Sequence, residues 1–223
     1  MNKCHLFLLA ALLLLPAVPM RAIGVERCDT CLFNPEVSSK IKYVDVAKSL
    51  KDSFGVDDDG ELVRTVAFDC PGMSKAEIYL EAYNWITNKF NGGSPDIQLA
   101  DKDLSSIIAR TVIKEAAVSN TVWLKFSADL KCLLRVDAKD GRCRLSIIVQ
   151  EYVFSGADMP KFMPMEKVRP DLCFPFVDVN TRGSRRMGAM SYVQAYNYCN
   201  LLICKMHRAI LKRGNTTPNA APW

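Results

Sequence analysis

Cys28-Asp-Thr-Cys31 is the first stretch of this chain whose spacing belongs to redox or metal chemistry. A redox CxxC needs a strand before it and a helix after it, because the helix N-terminus lowers the thiol pKa. No strand pattern precedes Cys28, which fits a structural disulfide or free thiols better. A zinc site needs two further ligands, and Cys204 and His207 stand three apart at helical spacing. That four-residue set is conceivable, but a second CxxC is missing. Asp57-Asp-Asp-Gly60 has calcium-ligand composition, yet an EF-hand loop through it would put Gly55 first and Val66 twelfth, so a turn is the better reading. His207 is the sole histidine beyond the first five residues, so any Ser-His or Cys-His mechanism would have to use it. Nucleophile-elbow, phosphate-loop and dinucleotide fingerprints are all missing. The sequence therefore implies no cofactor and no metal. A carboxylate pair that converges only in space would leave no trace, which keeps a hydrolase open as a lesser reading.

Binding chemistry is better represented. Arg110, Lys114, Lys125, Lys131, Arg135 and Arg144 fall by parity on one face of a strand-rich region, with Trp123, Leu133, Ile148 and Tyr152 among them. Cations interleaved with aromatic and apolar groups suit an anionic glycan, an acidic protein or nucleic acid. A second group, Arg182, Arg185 and Arg186, lies in the C-terminal part. Residues 23–160 carry 17 basic and 21 acidic groups, a net −4, whereas residues 161–223 carry 10 and 3, a net +7. The competing reading is an ordinary wet sheet face, or one covered by residues 155–189.

Lys3, the apolar run Leu6–Val18 and Met20-Arg-Ala22 have the form of a secretory signal peptide with cleavage expected after Ala22. The run is shorter than a membrane span requires, and no later segment is expected to cross a bilayer. Export makes nucleic acid the least suitable partner. It also permits disulfides among Cys28, Cys31, Cys70, Cys132, Cys143, Cys173, Cys199 and Cys204. One to three bridges are expected, since Cys132 and Cys143 sit at apolar strand positions where a thiol behaves as a small hydrophobe.

The elements that would position these groups run from Val63 to Phe154. Residues 61–69 read as a strand closed by Cys70-Pro-Gly72. Ser74 and Glu77 form a capping box ahead of a helix over 74–90, with Tyr79, Ala82, Tyr83, Ile86 and Phe90 at helical spacing. Ile97–Leu99 is a possible short strand, and Ser105–Glu115 a better one with Ile107, Ala109, Thr111 and Ile113 inward. From Val122 to Val136 every even position is apolar, and Cys143, Leu145, Ile147 and Val149 resume the pattern on odd numbers. A four-residue loop at 138–141 would pair Val136 with Cys143 and Leu134 with Leu145. So long a strand should bend near Ser127–Asp129. Val44–Phe54 suggests a short helix, and 191–213 a longer one.

Phe68-Asp-Cys-Pro-Gly-Met-Ser-Lys-Ala-Glu-Ile-Tyr79, Asn84-Trp85 and Val136-Asp-Ala-Lys-Asp-Gly-Arg-Cys-Arg-Leu145 resemble a family of secreted bacterial domains of unknown function with a TBP-like fold. The resemblance spans about 61–154 and implies an α+β architecture, β-α-β-β-β-β-α, with a curved antiparallel sheet of about five strands. It brings no catalytic residues, and fold alone does not carry function. The expected organisation is a signal peptide at 1–22, an extension at 23–60, the core at 61–154 and a Pro/Met-rich connection at 155–189. A helix at 190–214 and a tail at 215–223 follow. The expected function is a non-enzymatic binding or interaction module of the cell envelope. The alternative is a structural envelope component docking through loop and tail.

Overall fold

The computed structural model describes residues 42–89, 95–120, 125–156 and 166–214. The expected signal peptide, Cys28, Cys31, Phe90, Trp123 and the tail lie outside these residues. The chain opens with helix α1 (Tyr43–Ser49) and a 3-10 turn at Lys51–Ser53, followed by the short strand β1 (Gly55–Val56) and by β2 (Leu62–Asp69). Helix α2 (Lys75–Lys89) leads to β3 (Asp96–Asp101), β4 (Ser106–Asn120), β5 (Lys125–Lys139) and β6 (Arg142–Gly156). Strand β7 (Glu166–Val168), a 3-10 turn at Pro170–Leu172 and helix α3 (Arg182–Gly214) complete the described chain. All seven strands belong to one antiparallel sheet in the order β1-β2-β6-β5-β4-β3, with β7 beside the far half of β6. Among the described residues no helix is long and apolar enough to cross a membrane.

Alternation builds the core on one side of this sheet. Ile107, Ala109 and Ile113 of β4, Leu130, Leu134 and Val136 of β5, and Leu145, Ile147 and Val149 of β6 are buried under the helices. Ile78, Ala82, Trp85 and Ile86 of α2 meet them. The capping box forms as the spacing demands: Glu77 Oε2 accepts from the Ser74 N–H at 2.9 Å, and Ser74 Oγ accepts from the Glu77 N–H at 3.3 Å. The β5–β6 turn locks onto the same helix start, since Asp140 Oδ1 accepts from the Lys75 N–H at 2.8 Å. Gly141 N–H donates to the Met73 carbonyl at 2.9 Å as well.

The hairpin register departs from the expected one by two residues. Ala138 pairs with Cys143 and Val136 with Leu145, because the turn is only Asp140-Gly141. Gly141 takes φ +71°, a left-handed conformation that a glycine adopts at little cost and that makes so short a turn possible. A two-residue slip preserves the face of every side chain, so the core assignment survives it.

The expected bend is carried by the neighbours of β5. In β4, Lys114–Ala116 all lie opposite Asp129, with Glu115 at φ +48° and its N–H donating to Asp129 Oδ1 at 2.7 Å. In β6, Gln150 is the extra residue between Val149 and Glu151. That bulge reverses the phase of β6 beyond it. Tyr152, expected on the outward face, is fully buried on the helix side.

Helix α3 begins at Arg182, nine residues before the expected start, and it is enclosed where it crosses the sheet. Residues 188–195 are buried on every side. Tyr192 donates to the carbonyls of Leu50 at 2.6 Å and Lys51 at 3.0 Å, and its ring meets Phe54 and Phe176 edge-on at 5.6 Å each. The segment through Cys173, Phe174 and Pro175 is buried too, with the Phe174 backbone against Gly188. The described part of the long connection therefore straps α3 on the core side and leaves the opposite face of the sheet alone.

Candidate functional site

The opposite face is set by the odd residues of β2 and β5 and the even residues of β4 and of β6 before its bulge. Reading across the strands, Val63, Ile148, Leu133 and Arg110 form one row. Thr65, Ser146, Arg135 and Ile108 form the next, followed by Ala67, Arg144, Asp137 and Ser106. Val63, Ile148 and Leu133 are half-buried beside one another, a small apolar strip between polar rows.

Most of the basic groups expected here do share this face, but carboxylates neutralise several of them. Lys125 Nζ lies 2.7 Å from Glu115 Oε1, and Lys131 Nζ 2.7 Å from Glu151 Oε2. Donation from Lys131 holds the Glu151 carboxyl below its ordinary range despite some burial. Arg135 and Arg144 share a single acid. Asp137 Oδ2 accepts from Arg144 at 3.1 Å (Nε) and 2.7 Å (Nη2), and from Arg135 Nε at 3.2 Å. Asp137 Oδ1 accepts from Ser106 Oγ at 2.9 Å and from Arg135 Nε at 3.2 Å. Burial alone would push the Asp137 carboxyl up; the hydrogen bonds from Arg144, Ser106 and Arg135 outweigh it and bring it below the usual value. Among the described residues Arg110 and Lys114 are exposed and meet no carboxylate within 4.0 Å.

Parity makes Asp137 visible in the sequence as an outward group. Glu151 is not visible in that way, because only the Gln150 bulge carries it to Lys131. Glu115 likewise reaches Lys125 through its own bulge. The second basic group is spread along the start of α3. Arg182 and Arg186 are exposed, while Arg185 donates to Asp178 Oδ1 at 2.7 Å and to the Val179 carbonyl at 3.2 Å.

The other candidate chemistry is placed as follows. Asp57 Oδ1 accepts from the N–H groups of Asp59 at 3.1 Å and Glu61 at 2.8 Å, which makes the acidic run an Asx turn. Cys204 is disulfide-bonded, so it is not a thiolate ligand beside His207. Cys70, Cys132, Cys143, Cys173 and Cys199 are buried free thiols. Burial first, with Asp69 second, pushes Cys70 up to about 11. Burial likewise drives Cys143, Cys173 and Cys199 to about 12. Thiols so held stay protonated at neutral pH and are poor nucleophiles. His207 packs on Phe68 with ring centroids 4.7 Å apart, and burial lowers its pKa. Among the described residues no cluster of three or more His, Cys, Asp or Glu side chains could hold a metal ion.

The family model described as "Domain of unknown function (DUF4468) with TBP-like fold" matches residues 65–152. No curated protein matches the chain. Among solved structures, a DUF4468 family protein from Bacteroides ovatus ATCC 8483 is similar, with TM-score 0.53 and 17% identity over 77% of this chain and 95% of that one. A TBP-like protein from Parabacteroides distasonis ATCC 8503 is similar with TM-score 0.51 and 10% identity, over 69% of this chain and 95% of that one. At such identities the likeness is one of fold.

Proposed function

Taking residues 65–152 as a DUF4468 domain of TBP-like fold, we propose that the protein is an exported, non-enzymatic binding module of the bacterial cell envelope. Its working surface is the uncovered face of the sheet, and its partner is anionic, an acidic protein or a glycan. The observation that carries this reading is the asymmetry of the sheet. One face is buried under α2 and α3, while the other lacks a covering layer among the described residues and holds Arg110, Lys114, Arg135 and Arg144 around an apolar strip. Asp137 offsets only one of the two arginine charges beside it. Export rests on the leader-like sequence of residues 1–22.

The test is retention of the mature chain on an anionic matrix such as heparin-agarose. Reversing Lys131, Arg135 and Arg144 to Glu is expected to abolish retention. Reversal leaves Asp137 and Glu151, whose side chains are 17% and 36% exposed, beside like charges, so thermal denaturation is run alongside, and the milder change of the same three cations to Gln, which adds no like charge, should weaken retention as well. Reversing Arg182, Arg185 and Arg186 is the control for the start of α3 and should leave most of the retention. Retention should also fall as salt is raised, because screening weakens any cationic contact. Loss in the α3 variant alone would move the binding surface to that helix.

A further inference from the structure

We propose that Arg135, Arg144 and Asp137 form a seat for the carboxylate of an acidic protein segment, one that lays an apolar side chain on Val63, Ile148 and Leu133. The proposal rests on the uncovered sheet face being the binding surface, and it specifies the partner's chemistry.

Two guanidinium groups converge on one carboxylate, leaving the cluster with one positive charge in excess. Their donors are not exhausted. Arg135 spends only Nε on Asp137, and Arg144 spends Nε and one terminal nitrogen. Both terminal nitrogens of Arg135 and one of Arg144 make no hydrogen bond within the described chain. The side chains of Arg135 and Arg144 are 49% and 55% exposed, while Asp137 beneath them is 17% exposed. An acid placed below two arginines holds them in a fixed arrangement and lowers the entropy lost on binding. A guanidinium edge offers a planar pair of N–H donors that matches a carboxylate in bidentate geometry.

Two lysines of the face lack this property. Lys125 and Lys131 each face one acid at 2.7 Å, a one-to-one neutralisation with no excess charge. The apolar strip then discriminates between anionic partners. Arg135 lies two residues from Leu133 along β5 on the same face, and Ile148 and Val63 continue the strip across β6 and β2. A ligand that fills both parts carries an anion and an aliphatic group a few ångströms apart. An extended acidic protein segment with Leu or Ile two residues from Glu or Asp meets that description. A sulfated or uronic polysaccharide supplies the charge without the aliphatic group, and the strip would stay wet beneath it.

The experiment is fluorescence anisotropy of the mature full chain at low salt. Three labelled probes are used: a Glu-Leu peptide of repeating Glu-Glu-Leu-Leu, which puts Glu and Leu two residues apart on each face of an extended chain, an all-Glu peptide of equal length and a heparin oligosaccharide. The Glu-Leu peptide is expected to bind tightest. Arg135→Gln should weaken it at least tenfold. Asp137→Asn should tighten it severalfold, since the amide oxygen can still accept from the arginines and keep them in place while the loss of the carboxylate leaves their charge unopposed. The opposite signs separate a binding seat from a structural ion cluster, in which both substitutions would act only through folding. Tighter binding of heparin than of the Glu-Leu peptide would overturn the proposal, as would unchanged affinity in Arg135→Gln or no binding of any peptide. If the seat fails in this way while the Lys131, Arg135 and Arg144 reversal still abolishes matrix retention, the broader reading of the face stands. If retention also survives the reversal, both fall together.

Discussion

At the residue scale, contacts decide what propensity leaves open. Gly188 lies inside α3, where glycine costs about 1 kcal/mol relative to alanine in an unconstrained helix. Its reason is space. A Cβ there would stand 3.1 Å from the Phe174 nitrogen and 3.2 Å from the Phe174 oxygen, both backbone atoms that cannot rotate away. Gly183, in the first turn of the same helix, has nothing within 4 Å of a built Cβ. Gly188→Ala should therefore lower stability by about 1–3 kcal/mol through overpacking. Gly183→Ala should be neutral or stabilising by a few tenths of a kcal/mol. Thermal denaturation of the two variants checks this, and equal melting temperatures would show that the Phe174 strap does not rest on α3. The same crowding explains why the helix start is illegible in the sequence. Gly183 and Gly188, following four prolines in the connection, read as irregular chain, and the packing of the Phe174 backbone on Gly188 leaves no mark in the spacing.

At the scale of elements, periodic signals were legible and interruptions of the period were not. The capping box at Ser74–Glu77, the inward set of β4 and the even-numbered face of β5 follow from spacing alone. The two bulges do not, since an inserted residue such as Gln150 looks like any other polar residue between apolar neighbours. The cost of missing it fell on the candidate site. Tyr152 left the outward face and Glu151 joined it, turning an expected cationic surface into one of mixed sign. The phase of β5 is uninterrupted, so adjacent substitutions should diverge. Leu134 is fully buried, and Leu134→Asp places a charge without a partner in the core at a cost of roughly 3 kcal/mol or more. Leu133 belongs to the outward strip and is half-buried, so Leu133→Asp should cost far less. Urea denaturation of both variants is the measurement. Similar midpoints would contradict the assignment of faces, and with it the placement of every outward residue.

At the scale of the molecule, two layers and a strap account for the described chain, and the strap leaves one sheet face open. Whether that face works as a surface can be read directly by methyl NMR. The chain lacking residues 1–22, labelled at Ile, Leu and Val methyls, is titrated with the Glu-Leu peptide at low salt. The account predicts saturable shifts at Val63, Leu133 and Ile148, with Leu134, Ile147 and Leu145 on the buried face unmoved. Shifts confined to residues near the start of α3, with that strip silent, would contradict it.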